Sequence, residues 1–288
     1  MEEEKRVAAI HDLSCFGRCS LAVVLPVLSA MGVQACPVPT AVLSTHTGGF
    51  DGVVRTDLTG QMEGTLGRWE AMGLTFDGIY TGYMASAGQM ALAERAVERL
   101  KKTGGTAVVD PVLGDHGRLY RSITPAMAEA MKRLCQRADV ITPNLTEAAL
   151  LLGGEAPEDG EAAARALSLN GERSVVLTGV SPAPGQIGAA WFDRESGRSG
   201  ILAGDRARGE WPGTGDLFAA VLTGGLVRGE RLEDCVGRAV AFVRACAERT
   251  AALGTPVREG VAFEPLLGGL AKGGPVCYTD KIKPDDQL

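Results

Sequence analysis

One feature constrains the fold more than any other. Short β-branched apolar runs alternate with longer amphipathic stretches, the pattern of parallel strands joined by crossover helices. Strands are predicted over 7–10, 34–38, 78–81, 106–109, 140–142 and 174–178. Helices are predicted over 20–31, 56–72, 86–103, 124–136, 146–152, 162–169, 217–228 and 232–250, with Ser86 and Thr146 at starting positions that suit a cap. The segment 187–204 departs from this pattern. Two small apolar runs flank residues 194–197, which reads as an antiparallel hairpin at the edge of the sheet. The chain has no internal repeat, low-complexity tract or Pro/Ser-rich linker. The expectation is an α/β protein: one three-layer α/β/α domain over 1–267 with a mostly parallel central sheet and no separate lid domain, followed by a polar tail over 268–288.

Composition excludes several functional classes. The 29 Lys and Arg against 35 Asp and Glu give a net charge of −6, so no global positive field exists to hold a nucleic acid. Seven cysteines without repeated CxxC spacing argue against a zinc cluster or a disulfide framework. Glu2, Glu3 and Glu4 occupy the place of a basic leader region, so free thiols in the cytoplasm are expected. The uncharged stretch from Cys19 to Phe50 is interrupted by Pro26, Gly32, Pro37 and Pro39. It reads as a buried helix and a strand rather than a membrane span. The 39 glycines and 5% aromatic content favour tight turns and close backbone approach to a ligand over aromatic binding platforms.

In a doubly wound sheet, ligands sit at the carboxyl ends of the strands. Polar residues gather at those ends here: His11-Asp12, Thr45-His46-Thr47-Gly48, Gly82-Tyr83, Asp110-Pro111, Thr142-Pro143-Asn144 and Thr178-Gly179. The sharpest signal is Gly213-Thr214-Gly215-Asp216 before a helical run. Its glycines let backbone amides at a helix N-terminus face an anion, and Asp216 in the first turn could take a proton from an attacking hydroxyl. The same residues could instead be a simple capped loop. A second signal is Asn144-Leu145-Thr146-Glu147, where an amide oxygen and a carboxylate suit Mg²⁺, or where Glu147 merely stabilises a helix start. A third is Asp110-Pro111-Val112-Leu113-Gly114-Asp115, either part of a metal-nucleotide site or a solvated loop.

Together and in this order, these stretches resemble the ribokinase-like superfamily. Its pyridoxal kinase branch is suggested by Ser44-Thr45-His46-Thr47-Gly48 and Asp110-Pro111-Val112-Leu113-Gly114-Asp115. The resemblance implies ATP-dependent phosphorylation of the 5′-hydroxymethyl group of pyridoxal, pyridoxine or pyridoxamine by a homodimer. It implies ATP and Mg²⁺, and raises the use of a monovalent cation. Asp216 corresponds to the catalytic base and Gly213, Thr214 and Gly215 to the anion hole. Asp110, Asp115, Thr142, Asn144, Glu147 and Thr178 correspond to the ATP site. Asp110, Asn144 and Glu147 would lie nearest the metal, partly through water. Asp12, Thr45, His46 and Tyr83 correspond to the substrate pocket beside Asp216.

Asp12 departs from the Ser common in that branch. As a ring-facing carboxylate it would favour the ammonium group of pyridoxamine. His11 is open between a functional residue and a satisfied strand end. Cys15 and Cys19 read as inert thiols. Hydroxymethylpyrimidine kinases share the fold and reaction but typically carry Cys where Asp216 stands. A non-catalytic vitamer-binding homologue would not require the base.

Overall fold

The computed structural model describes residues 4–155 and 158–273. Its nine-stranded sheet has the order β11-β10-β9-β8-β5-β4-β1-β2-β3. The strands are β1 (Lys5–Ser14), β2 (Val33–Leu43), β3 (Arg55–Asp57), β4 (Phe76–Thr81), β5 (Lys101–Val109), β8 (Val140–Ile141), β9 (Ser174–Val180), β10 (Gln186–Phe192) and β11 (Ser199–Asp205). The pairs from β2 through β1, β4, β5 and β8 to β9 are parallel. The predicted hairpin forms β10 and β11 at one edge, with antiparallel pairing from β9 onward. From β1 the chain first steps to β2 on one side, then returns to β4 on the other. The strand order therefore reverses at β1, and its carboxyl end opens into the crevice where such sheets bind ligands.

Alternation along β1 sends Val7 and Ala9 into one core, Ala8 and Ile10 into the other. The first core is completed by α1 (Leu21–Ala30), α7 (Thr214–Val227) and α8 (Leu232–Leu253), through side chains such as Leu28, Leu222 and Phe242. The second is covered by α2 (Thr59–Ala71), α3 (Ala87–Leu100), α4 (Pro125–Gln136), α5 (Leu145–Leu152) and α6 (Gly160–Leu167), through Met62, Met90, Met131 and Leu167 among others. The uncharged stretch is indeed a buried helix, α1, followed by β2. Among the described residues, no helix is long and apolar enough to cross a membrane. The six described cysteines are unpaired.

Several boundaries differ from expectation, for local reasons. Residues 55–57 do not begin a helix. They pair antiparallel with Ala41, Val42 and Leu43, and α2 starts at Thr59, whose amide donates to Asp57 Oδ1 at 2.8 Å. The helix expected to reach 103 ends at Leu100, and β5 begins at Lys101 without a connecting loop. A small hairpin not foreseen, β6 (Gly114–Asp115) with β7 (Arg118–Leu119), follows β5 and stands beside α5. The polar tail does not start at 268. A 3₁₀ helix spans Glu264–Gly273 and buries Leu270, while 274–288 lie outside the described residues.

Candidate active site

A helix N-terminus with amides unpaired inside the helix forms where α7 begins. Gly213 precedes the helix with φ +83°, and a Cβ there would lie 1.9 Å from the Arg18 carbonyl oxygen, so only glycine fits. The first intrahelical bond runs from the Leu217 amide to the Gly213 carbonyl, leaving the amides of Thr214, Gly215 and Asp216 with no partner inside the helix. Apart from its chain neighbours and its own helix backbone, nothing lies within 4 Å of a Cβ built at Gly215, while the Thr214 hydroxyl donates to the Trp211 carbonyl. A 14-residue helix thus directs its partial positive charge at an accessible spot beside Asp216.

Asp216 is held by two elements. Its Oδ1 lies 2.9 Å from His11 Nε2 at the end of β1, and its Oδ2 accepts from the Ser20 amide at 2.7 Å just before α1. On the opposite side of the imidazole, His11 Nδ1 lies 2.9 Å from Asp12 Oδ1. Asp12 Oδ1 also accepts from the Ser20 hydroxyl at 2.7 Å, and its Oδ2 accepts from the Ser14 hydroxyl at 3.2 Å. Burial alone would push the Asp216 carboxyl up, but the positive His11, its hydrogen bond and the Ser20 amide outweigh burial and hold Asp216 below the ordinary carboxylate range. Burial would likewise lower His11, yet Asp216 and Asp12 on its two sides raise it to about 10.

In this arrangement Asp12 is only 3% exposed, and three internal contacts occupy its carboxylate behind His11.

At the other end of the cleft stand Asp110, after β5, and Glu147, in the first turn of α5, both buried. Desolvation raises Asp110 to about 7, assisted by the Asp216 charge and opposed by His11 and Thr142. Desolvation, and then repulsion by Asp110, pushes Glu147 well above its usual range despite backbone amides that favour the anion. Glu147 Oε1 accepts from the Leu113 amide at 3.0 Å, and Oε2 from the Asn144 amide at 2.9 Å. Asn144 Oδ1 accepts in return from the Glu147 amide, while its side-chain NH₂ donates to the Gly114 carbonyl. The pair is a capping box that also fastens the loop between β5 and β6. A divalent cation fits the charge here, because two buried acids repel each other until a cation neutralises them. The donor atoms of Asn144 and Glu147 are nevertheless engaged, which leaves Asp110 as the better direct ligand and suits contact through water for the other two. No group of three or more His, Cys, Asp or Glu side chains that could hold a metal occurs among the described residues.

The remaining expected residues also take up distinct places. Thr142 is buried at the end of β8 beside Asp110, and the Thr178 amide donates to the Pro143 carbonyl at 2.9 Å. Asp115 sits on the exposed hairpin, where its Oδ1 accepts from the His116 amide. The Thr45 Oγ1 atom is buried without a protein partner, as suits a hydroxyl facing a ligand. His46 uses both ring nitrogens, Nδ1 accepting from the Gly48 amide and Nε2 facing the Arg258 carbonyl at 2.6 Å. It therefore fastens the loop after β2 to the chain after α8. Tyr83 is half-buried and packs against the second core.

Sequence reasoning missed Ser14 and Ser20 as partners of Asp12, and the aromatic mouth formed by Phe16, Phe50 and His46. In that mouth the His46 and Phe50 ring centroids are 5.0 Å apart and Arg258 lies 5.5 Å over Phe50. His-Asp at a strand end, with serines two and eight residues after the Asp, was the available signal for the first group. The second had none, because Phe16 and Arg258 are distant in sequence from His46 and Phe50.

Comparison with known proteins gives a consistent picture. The phosphomethylpyrimidine kinase family matches residues 25–259. A pyridoxine/pyridoxal/pyridoxamine kinase from Bordetella avium is 33% identical over 252 residues, covering 80% of each chain. The pyridoxal kinase structure from Lactobacillus plantarum superposes with a TM-score of 0.85 at 37% identity, covering 93% of this chain and 96% of its own. A Bacteroides thetaiotaomicron structure in a crystal form with pyridoxal gives a TM-score of 0.87 at 37% identity, with the same two coverages.

Proposed function

Since the chain belongs to the phosphomethylpyrimidine kinase family, and within the ribokinase-like superfamily to the pyridoxal kinase branch, we propose that it transfers the γ-phosphoryl group of ATP to the 5′-hydroxymethyl group of pyridoxal, pyridoxine or pyridoxamine. The observation that carries this reading is the Asp216 carboxylate, held by His11 and the Ser20 amide in the first turn of a helix whose first amides have no partner inside that helix. Phosphoryl transfer chiefly demands alignment and neutralisation of charge, with a base placed at the attacking hydroxyl.

In this reading the amides of Thr214, Gly215 and Asp216 stabilise negative charge on the transferring phosphoryl group. Asp216 accepts the proton of the 5′-hydroxyl as its oxygen bonds to phosphorus and ADP departs. Thr45 contacts the vitamer ring substituents, and His46 and Tyr83 shape the wall of that pocket. Thr142, Thr178 and Asp115 flank the nucleotide. Mg²⁺ would supply charge neutralisation between the nucleotide phosphates. Asp110 would hold it directly, while Asn144 and Glu147 order the loop around it and contact it through water. A monovalent cation beside the nucleotide is part of the same reading. We place the enzyme as a homodimer in the cytoplasm, where the six unpaired cysteines among the described residues would persist.

The test is ADP release with pyridoxal, pyridoxine, pyridoxamine and hydroxymethylpyrimidine in parallel, with the 5′-phosphate product identified. Vitamer-dependent release exceeding that with hydroxymethylpyrimidine is expected. Release with hydroxymethylpyrimidine alone, or none with any vitamer, would overturn the reading.

A further inference from the structure

His11 is the most deeply buried basic group in the cleft, and the reaction as described does not use it directly. Its ring lies between two carboxylates, with Nε2 2.9 Å from Asp216 and Nδ1 2.9 Å from Asp12. A neutral imidazole carries a single N–H and can donate to one of them; an imidazolium donates to both. The Asp12 amide N–H is directed at Nδ1 at 2.9 Å, a contact that favours an unprotonated Nδ1, but that one neutral donor is set against two anions. Asp12 is in turn fixed by the hydroxyls of Ser14 and Ser20, and the Ser20 amide holds the second oxygen of Asp216. The backbone also makes room for the ring. A Cβ at Gly82 would lie 2.0 Å from His11 Cδ2 and 2.1 Å from Nε2, so a side chain at the end of β4 would evict the imidazole from this position.

We propose that His11 is a positioning residue whose fixed positive charge, maintained by Asp12, keeps Asp216 ionised and aimed at the attacking hydroxyl. This rests on the kinase reading above. His11 keeps its own proton throughout. The proton leaving the 5′-hydroxyl goes to Asp216 and from there to solvent after ADP departs, so no proton passes along the His11–Asp12 pair. Asp12 thus affects the reaction through the charge of His11 and without touching the vitamer.

The surroundings make that charge necessary. Besides Asp12 on β1, the titratable groups facing Asp216 and His11 are Cys19 before α1, His46 after β2, Tyr80 on β4, Asp110 after β5 and Tyr120 after β7. Asp110 and Asp12 add negative charge, and the buried Cys19 and Tyr80 are pushed upward and stay neutral. Without the imidazolium, burial would push Asp216 up and it would hold a proton at a pH where the base must be free.

The experiment combines kinetics with spectroscopy. His11→Gln keeps a donor and removes the charge. It is expected to lower kcat by about tenfold or more, within the range attributable to a positioned base. The vitamer KM should change by less than about threefold, and the acid limb of kcat should move up by roughly one pH unit or more. Asp12→Asn should move the acid limb in the same direction by less and bring a basic limb down in pH as His11 loses its proton earlier. A merely structural role would lower kcat without moving either limb. In ¹⁵N-histidine spectra of the wild-type protein, whose sequence has three histidines, the His11 ring should remain doubly protonated at pH 8. A neutral His11 ring at pH 8 overturns the proposal even if neither variant folds, and so does an unmoved acid limb in a folded His11→Gln protein. Should the wild-type protein turn over no vitamer, the kinase reading fails by itself and the spectra still decide the state of His11.

Discussion

At the α7 end of the cleft, Asp216 is buried against a positive His11 and held below the ordinary carboxylate range. At the α5 end, Asp110 and Glu147 are buried and both pushed up, Asp110 by desolvation and then by the Asp216 charge, Glu147 by desolvation and then by Asp110. Desolvation is the largest influence on all three, and it acts in the same direction each time. What separates them is the sign of the charge that acts most strongly on each: His11 on Asp216, Asp216 on Asp110 and Asp110 on Glu147. The protein itself supplies a countercharge at the end where, in the proposed reading, a base would have to be ready before substrate arrives. At the other end it leaves like charges together, an arrangement that a cationic metal with its nucleotide would complete in the proposed reading.

The largest effect should come from removing the ionised end. Asp216→Asn is nearly isosteric, retains a carbonyl oxygen for the Ser20 amide, and cannot accept the hydroxyl proton. Turnover at saturating ATP and vitamer should fall about 10²–10⁴-fold while both ligands still bind. Turnover within a few-fold of wild type would remove Asp216 from the role of base.

Next comes stability at the repulsive end. Because the folded-state pKa of Asp110 is raised to about 7, the folded protein binds that proton more readily than the unfolded chain does. Stability contributed by this group is therefore complete at pH below the ordinary carboxylate range and declines as pH rises toward about 7. Relative to wild type, Asp110→Asn should gain stability across that window by up to about 1.4 kcal/mol per pH unit, and hold a constant difference above it. Denaturant unfolding of the metal-free proteins at several pH values measures this. A difference independent of pH would show that Asp110 does not titrate abnormally.

A smaller effect sharpens the role of Asp12. Asp12→Ser should lower turnover on pyridoxal and pyridoxamine alike, by roughly tenfold, because its influence passes through the base. Parallel kcat/KM measurements should give an unchanged ratio between the two vitamers. A ratio that falls several-fold would restore the ring-facing acid expected from sequence. Smallest of all, Ser14→Ala removes one hydroxyl bond to Asp12 Oδ2 and should cost about 0.5–1.5 kcal/mol of stability in chemical denaturation, with little loss of turnover. A loss of turnover as large as that of Asp12→Ser would mean that the orientation of Asp12 depends on Ser14 alone.

The parallel sheet was readable because its strands are buried on both faces and appear as apolar runs, as with Val7–Ile10 within β1. Strand β3 was not readable. Its three residues, Arg55, Thr56 and Asp57, are polar and exposed, and only backbone pairing with β2 makes them a strand. The start of β5 was hidden for a similar reason, since Lys101, Lys102 and Thr103 carry no apolar alternation and continue a good helical pattern.

In the site, the loops that carry Gly213, Asp110 and Asn144 could be located from their motifs and from their place at strand ends. Side-chain direction could not. Simple alternation would send His11 and Asp12 to opposite faces of β1. The register with β2 shifts between His11 and Leu13, and at that irregularity the two adjacent side chains meet. The surroundings of Glu147 were half legible: its carboxylate is within electrostatic reach of Asp110, but its oxygens are held by backbone amides that lie close only in the folded chain.

The contrast between the two ends can be measured in one sample. A ¹³C carboxyl titration of aspartate-labelled protein, with the two signals assigned through Asp216→Asn and Asp110→Asn, reports both groups together. Asp216 is expected to titrate below the ordinary aspartate range and Asp110 near about 7. If both titrate on the same side of that range, the charge of the neighbouring group does not set the chemistry of this cleft.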